Sequence, residues 1–172
     1  MAVRPILVAP HPALKAKAKP VSRVDDAVRQ LMDDMLETMY QAPGIGLAAP
    51  QVGVPSRVLV VDVAKEGEPP QPLRLANPEI LWASEELAAH EEGCLSVPEH
   101  YAEVMRPTKV RIRYRDYDDK LVEIEPEGLL ATCLQHEIDH LEGVLFIDHL
   151  SSLKRNIILR KLVKARKLAE AG

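Results

Sequence analysis

The strongest constraint on this chain is a charge-free run, Leu129-Leu130-Ala131-Thr132-Cys133-Leu134, that leads into His136-Glu137-Ile138-Asp139-His140. Glycines stand at either end of the stretch, Gly128 and Gly143. A helix that begins just past one glycine and stops at another is the expected form of such a segment. On it, His136 and His140 are four residues apart, so their imidazoles project from one face and reach a shared metal ion. Glu137 stands beside the first histidine, placed to reach a water at that ion and take its proton. The competing reading is a solvated helical face rich in His and Glu. The five-residue pattern alone does not choose between them.

Two histidines leave a catalytic metal one protein ligand short. A metzincin-type helix would place a third histidine six residues past His140, where Phe146 stands instead. A thermolysin-type site needs a glutamate well downstream, and only Glu142 and Glu170 lie beyond. Asp148 and His149 are nearer, without a recognisable setting. Upstream, Glu92-Gly93-Cys94-Leu95-Ser96 offers a better candidate. Cys94 follows a glycine that permits close backbone approach, and a thiol beside a divalent cation is readily deprotonated. A lone cysteine is ordinarily a small buried hydrophobe; here the missing ligand favours coordination. Cys94 and Cys133 could pair, but a cytosolic chain makes thiols or metal ligands the better reading.

The rest of the chain supplies the fold. A length of 172 residues suits one domain, 1–172, and 3% aromatic content leaves aliphatic side chains to fill its core. No apolar run approaches the roughly 20 residues that span a bilayer. The first residues lack a long apolar segment of the secretory kind, so a cytoplasmic location is expected. Ile6-Leu7-Val8 opens a wrapping arm, ended by Pro20. Ser22-Arg23-Val24-Asp25 has the form of a capping box, and Val28, Leu31, Met32, Met35, Leu36 and Met39 repeat at helical spacing up to Pro43-Gly44. Gly44-Ile45-Gly46-Leu47-Ala48-Ala49-Pro50-Gln51 reads either as a tight turn into a strand or as a substrate wall with Gln51 presenting an amide donor. Val58-Leu59-Val60-Val61 is a buried-strand pattern. Leu73-Arg74-Leu75 is expected to reach Ile80-Leu81-Trp82 through a turn at Asn77-Pro78. Val110, Ile112 and Tyr114 alternate with basic residues, and Asp118-Asp119 turns the chain into Leu121–Glu125 as a hairpin with one charged face. The expected class is α+β: mostly antiparallel sheets around a central metal-binding helix, with an early helix and a C-terminal helix.

Charge is unevenly placed. Residues 151–172 hold seven basic side chains and one acidic, so the net charge of −4 leaves about −10 on residues 1–150. Ser151-Ser152 is a helix cap. Ile158, Leu162, Ala165 and Ala169 share one face of the tail, with Arg160, Lys161, Lys164 and Lys167 broadly opposite. The tail is either a solvated helix docked loosely on the body or a surface for an anionic partner.

The segments Gly44–Gln51, Glu92–Ser96 and His136–His140 resemble the three signature motifs of peptide deformylases, in the family's order, and the likeness extends over nearly the whole chain. The resemblance implies an enzyme that removes the N-formyl group from the first methionine of nascent chains and releases formate. It implies Cys94, His136 and His140 as metal ligands and Glu137 as general base, then general acid. It also implies Gln51 and the backbone N–H of Leu95 as oxyanion donors. The family metal is Fe²⁺, with Zn²⁺, Ni²⁺ or Co²⁺ able to replace it. Ile45, Gly46, Gly93, Leu129 and Cys133 would form the slot for the methionine side chain. Tyr101, where many relatives carry arginine, and His90, where an aliphatic residue is common, are expected near the peptide groove. Asp139 is a candidate ion-pair partner of Arg106. Implied partners are formyl-methionyl nascent peptides and, through the basic tail, the ribosome, for a monomeric protein. The alternatives are a zinc endopeptidase using the same helix and a catalytically silent, ribosome-associated or metal-storing relative.

Overall fold

The run Val58–Val61 lacks polar alternation because it is covered on both faces, and all four residues are fully buried. The computed structural model describes residues 2–171; Met1 and Gly172, the ends of the expected 1–172 domain, lie outside it. In chain order the elements are α1 (Asp26–Gln41), β1 (Gly46–Ala48), β2 (Val58–Val61), β3 (Leu73–Ala83), β4 (Leu87–Cys94), β5 (Val97–Pro107), β6 (Val110–Arg115), β7 (Leu121–Ile124), α2 (Gly128–Leu141) and α3 (Ser152–Ala171). Five strands form one antiparallel sheet ordered β1-β2-β3-β6-β7, and β4 and β5 form a separate antiparallel hairpin. The class is α+β, as the sequence implied.

Successive side chains of a strand point to opposite faces, so β2 serves two core layers. Leu59 and Val61 cluster with Leu75, Ile112 and Tyr114 and with Ala131, Leu134, Ile138 and Leu141 of α2. Val58 and Val60 cluster with Leu31, Met32, Met35, Leu36 and Met39 of α1. The helix carrying both histidines is thus fixed on one side by the sheet. On the β6–β7 hairpin, Arg113 lies opposite Glu123 and reaches Glu79 at 3.3 Å, while Arg111 reaches Glu125 at 3.4 Å. Its arginine-rich face is therefore a solvated, self-paired one.

Two local expectations are corrected. Helix α1 is capped by Asp25, whose carboxylate accepts from the Val28 N–H at 3.0 Å, rather than by Ser22. Val24 is 3% exposed and its N–H donates to Asp119, so it is drawn onto the core instead of entering the helix. Asn77-Pro78 does not turn the chain but lies inside β3, at a register shift. Asn77 takes φ +51° and clasps Val21, donating to its carbonyl at 2.8 Å and accepting from its N–H at 2.9 Å; the result is a bulge and the strand continues. Helix α3 is capped, as expected, by Ser151, whose hydroxyl accepts from the Lys154 N–H at 3.2 Å. Only its first half packs, through Leu162 with Ile158 and Leu159, and Ala165 and Ala169 are exposed.

The N-terminal arm straps together the three segments singled out in the sequence. Leu7 N–H donates to Gln51 O at 2.7 Å, Ala9 N–H to Ser96 O at 2.8 Å, and Ala18 N–H to Leu141 O at 2.8 Å. No described helix is long and apolar enough to cross a membrane.

Candidate active site

Helix α2 divides its faces between core and cavity. Leu134, Ile138 and Leu141 pack under the sheet, with Cys133 at the edge of the same cluster, which turns His136, Glu137 and His140 to the opposite side. The glycines that bound it have φ of +64° at Gly128 and +76° at Gly143, the left-handed conformation that glycine adopts freely. Cys94 arrives at the end of β4, with its Sγ 3.3 Å from His140 Nε2. One donor atom each from Cys94, His136 and His140 falls within 4.8 Å of the others. A tetrahedral cation bound by thiolate sulfur and imidazole nitrogen holds them about 3.5 Å apart, so the spacing and the S/N/N donor set fit a late divalent transition metal.

A buried ionic network presents these donors. His136 Nδ1 lies 2.9 Å from Glu92 Oε1, which leaves Nε2 for the cluster. Arg106 grips the same carboxylate with two hydrogen bonds, at 2.6 and 2.9 Å, and reaches Asp139 at 2.9 Å. The Arg106–Asp139 pair read from the sequence is therefore present, and Asp139 is shared with His149 Nε2 at 2.9 Å. Burial pushes the Glu92 carboxyl up, but the His136 and Arg106 hydrogen bonds prevail and hold it down at about 2. Burial also opposes a charged His136, yet Glu137, Cys94 and Glu92 draw it well above the ordinary imidazole value. His140 goes the other way, held well below the usual value by burial and by the charge of His136.

Glu137 is 4% exposed, and burial pushes its carboxyl up to about 7. Its Oε1 has no hydrogen-bond partner among the described residues. A buried carboxylate oxygen without a donor is costly, and one facing a cavity is kept open for a ligand. Gly46 permits this placement: a Cβ there would collide with Glu137 Oε2 and stand 3.0 Å from Cys133 Sγ. Gln51 is oriented by its own backbone neighbourhood. Its Oε1 accepts from the Ala48 N–H at 2.9 Å, so Nε2 turns to Ser96 Oγ at 3.0 Å and lies 3.5 Å from Cys94 Sγ.

A cavity of about 650 Å³ opens onto these groups, lined by Ile45, Gly46, Gln51, Gly93, Cys94, Leu95, His136 and Glu137. His140 is buried at the back of the donor cluster. Cys133 lies behind the wall, its Sγ 3.6 Å from Ile45 O, and burial raises its thiol well above the usual value, so it stays protonated. Leu129 is half-exposed and contributes none of the lining; His90 is likewise outside it, whereas Tyr101 lines the mouth. Of the other residues weighed as third ligand, Asp148 pairs with Lys15, Glu142 with Arg57 and His149 with Asp139, while Glu170 is exposed near the end of α3. Glu92 carries the network, and sequence reasoning missed it because nothing local sets it apart from the exposed Glu91.

Two helical histidines, an intervening glutamate, a cysteine and a directed amide around one cavity define a metal-dependent hydrolase. Comparison with known proteins places it further. The polypeptide deformylase family model matches residues 3–156. A peptide deformylase of Phenylobacterium zucineum is 63% identical over 169 residues, 98% of this chain and all of that one. Among solved structures, the peptide deformylase of Ehrlichia chaffeensis superposes with a TM-score of 0.94 at 39% identity, covering 98% of this chain and 99% of that one. A second structure of that protein, in complex with actinonin, gives a TM-score of 0.92 at 41% identity over 96% and 98% of the two chains. The chain belongs to the polypeptide deformylase family. It is an enzyme that removes the N-formyl group from nascent peptides, and the family is metal-dependent.

Proposed function

We propose that Cys94, His136 and His140 hold one divalent metal ion and that Glu137 moves the protons of formyl hydrolysis. The observation that carries this reading is the convergence of three donor atoms within 4.8 Å beside the unpartnered Oε1 of Glu137. When bound, a divalent cation supplies Lewis acidity, acidifying water and polarising the formyl carbonyl. Glu137 takes a proton from the attacking water as its oxygen bonds to the formyl carbon. It returns that proton to the methionine nitrogen as the C–N bond breaks and formate leaves. Gln51 Nε2, held on line by Ala48 and Ser96, and the N–H of Leu95 donate to the oxyanion. Ile45, Gly46 and Gly93, backed by Cys133, form an apolar slot for the methionine side chain.

A thiolate with two imidazoles suits Fe²⁺, and Zn²⁺, Ni²⁺ and Co²⁺ equally on donor chemistry; Fe²⁺ is the proposed resident. The proposed setting is a cytoplasmic monomer, folded as one catalytic domain over 1–172. Its basic tail meets ribosomal RNA, and truncation at Ser152 is expected to reduce ribosome co-sedimentation at low salt. The central test is anaerobic formate release from a formyl-methionyl peptide by wild type and Glu137→Gln. The variant is expected to keep its metal content and lose about 100- to 10,000-fold in turnover. Substantial turnover by the metal-loaded variant would remove Glu137 from its role.

A further inference from the structure

We propose that Tyr101 makes this enzyme favour substrates with lysine or arginine directly after the formyl-methionine. The inference deepens the deformylase reading and rests on it. Tyr101 stands at the mouth of the catalytic cavity and is 66% exposed, an uncommon place for a large ring. It is the cross-strand partner of Gly93, whose neighbour Cys94 belongs to the metal cluster. A Cβ on Gly93 would meet Tyr101 Cε1 at 2.5 Å, so the ring rests directly against the glycine backbone. That support fixes the ring over the way out of the cavity. Ile45, 45% exposed, and Pro43 stand among the other residues of its lining. A peptide held with its formyl group at Glu137 and its methionine against Gly46 and Gly93 leaves past Tyr101.

The charges around the mouth decide which side chain gains there. No lysine or arginine lines the cavity, and Glu99 stands at its rim. On the same face of the hairpin as Tyr101, Glu103 lies directly opposite Glu91, both exposed and neither in an ion pair among the described residues. Like charges in that position repel, and a cation nearby relieves them. An apolar side chain would gain the ring surface alone. A lysine or arginine gains the ring face as a cation–π contact and the acidic surroundings as well. An acidic side chain loses on both counts.

The test is kcat/KM of the metal-loaded enzyme for formyl-Met-Lys-Ser, formyl-Met-Ala-Ser and formyl-Met-Glu-Ser. Lysine is expected to exceed alanine about 2- to 5-fold, the range for an exposed cation–π contact, and to exceed glutamate by more. Tyr101→Ala should lower the lysine-to-alanine ratio to the part the acidic rim supplies alone, while Tyr101→Phe, which keeps the ring face, should retain it. A wild-type ratio of one, or an undiminished ratio in Tyr101→Ala, overturns the assignment. Release of formate from none of the three peptides would instead count against the deformylase reading itself.

Discussion

Glu92 Oε1 sits 2.9 Å from His136 Nδ1, so a residue outside the donor triad decides how one of its members is presented. By accepting from Nδ1–H, the carboxylate leaves the Nε2 lone pair for the cluster. Arg106, buried against the same carboxylate, keeps it ionised. The network thus joins the hairpin that carries Cys94 to the helix that carries both histidines.

Glu92→Ala should therefore lower metal affinity about 10- to 100-fold, the usual effect of losing a partner behind a ligating histidine. Glu92→Gln should fall between, since its amide oxygen still accepts from Nδ1–H. Competition with a chromogenic chelator reads the affinity directly. Equal affinities in all three proteins would show that Glu92 does not orient His136.

Arg106→Ala tests the other half of the network. It leaves Glu92, 5% exposed, without its cation and Asp139 with His149 alone. Breaking a buried pair by removing one partner costs about 3–5 kcal/mol, which in a chain of this size lowers Tm by on the order of 10 °C. Arg106→Lys keeps the charge and loses the two-pronged grip, so it should recover only part of the loss. Thermal unfolding of the three proteins measures it, and an unchanged Tm in Arg106→Ala would remove the stabilising role.

The helix was the most legible part of the site because its signals are local: paired histidines at four-residue spacing and glycines at both ends, each with positive φ. The β4–β5 hairpin was the least legible. Its inward positions include Glu92 and Arg106 instead of an unbroken apolar row, so the strand period is masked by ions that find their partners only in the fold. Cys94 could be chosen because a metal needs a third ligand and the motif resembles a known one. Glu92 has no such argument in its favour, since its partners His136 and Arg106 lie 44 and 14 residues away. Asn77-Pro78 misled for the same reason. A strong local turn signal yielded to two hydrogen bonds with Val21, 56 residues away.

Tyr40 offers a pH test away from the metal. Burial and a 2.6 Å hydrogen bond to Asp62 raise its phenol to about 12. Above about pH 10 the unfolded chain ionises this tyrosine while the folded chain keeps it protonated, so the folded state binds the extra proton. The contribution is complete below pH 10 and is lost as pH rises through 12. The urea midpoint of wild type minus that of Tyr40→Phe should be constant from pH 7 to 9 and shrink above 10. A difference that grows with alkalinity would contradict the assignment.

Gly46→Ala separates packing from chemistry most sharply. The new methyl would collide with Glu137 Oε2 and crowd Cys133 Sγ at 3.0 Å, both on the rigid helix α2. β1 cannot retreat easily: Gly46 is paired with Val61 of β2, and Leu47 and Ala48 are fully buried. The side chain that gives way is Glu137, because its Oε1 holds no partner in place. A displacement of about 1 Å in a catalytic group costs roughly 100-fold in rate. Gly46→Ala should therefore lose on the order of 100-fold in kcat while the Cys94, His136 and His140 cluster still binds metal in full stoichiometry. Formate release and metal content measured on one preparation settle the point. Loss of metal together with activity would mean that the strand had moved instead of the carboxylate, and near wild-type kcat would mean that Glu137 is not held where the reaction needs it.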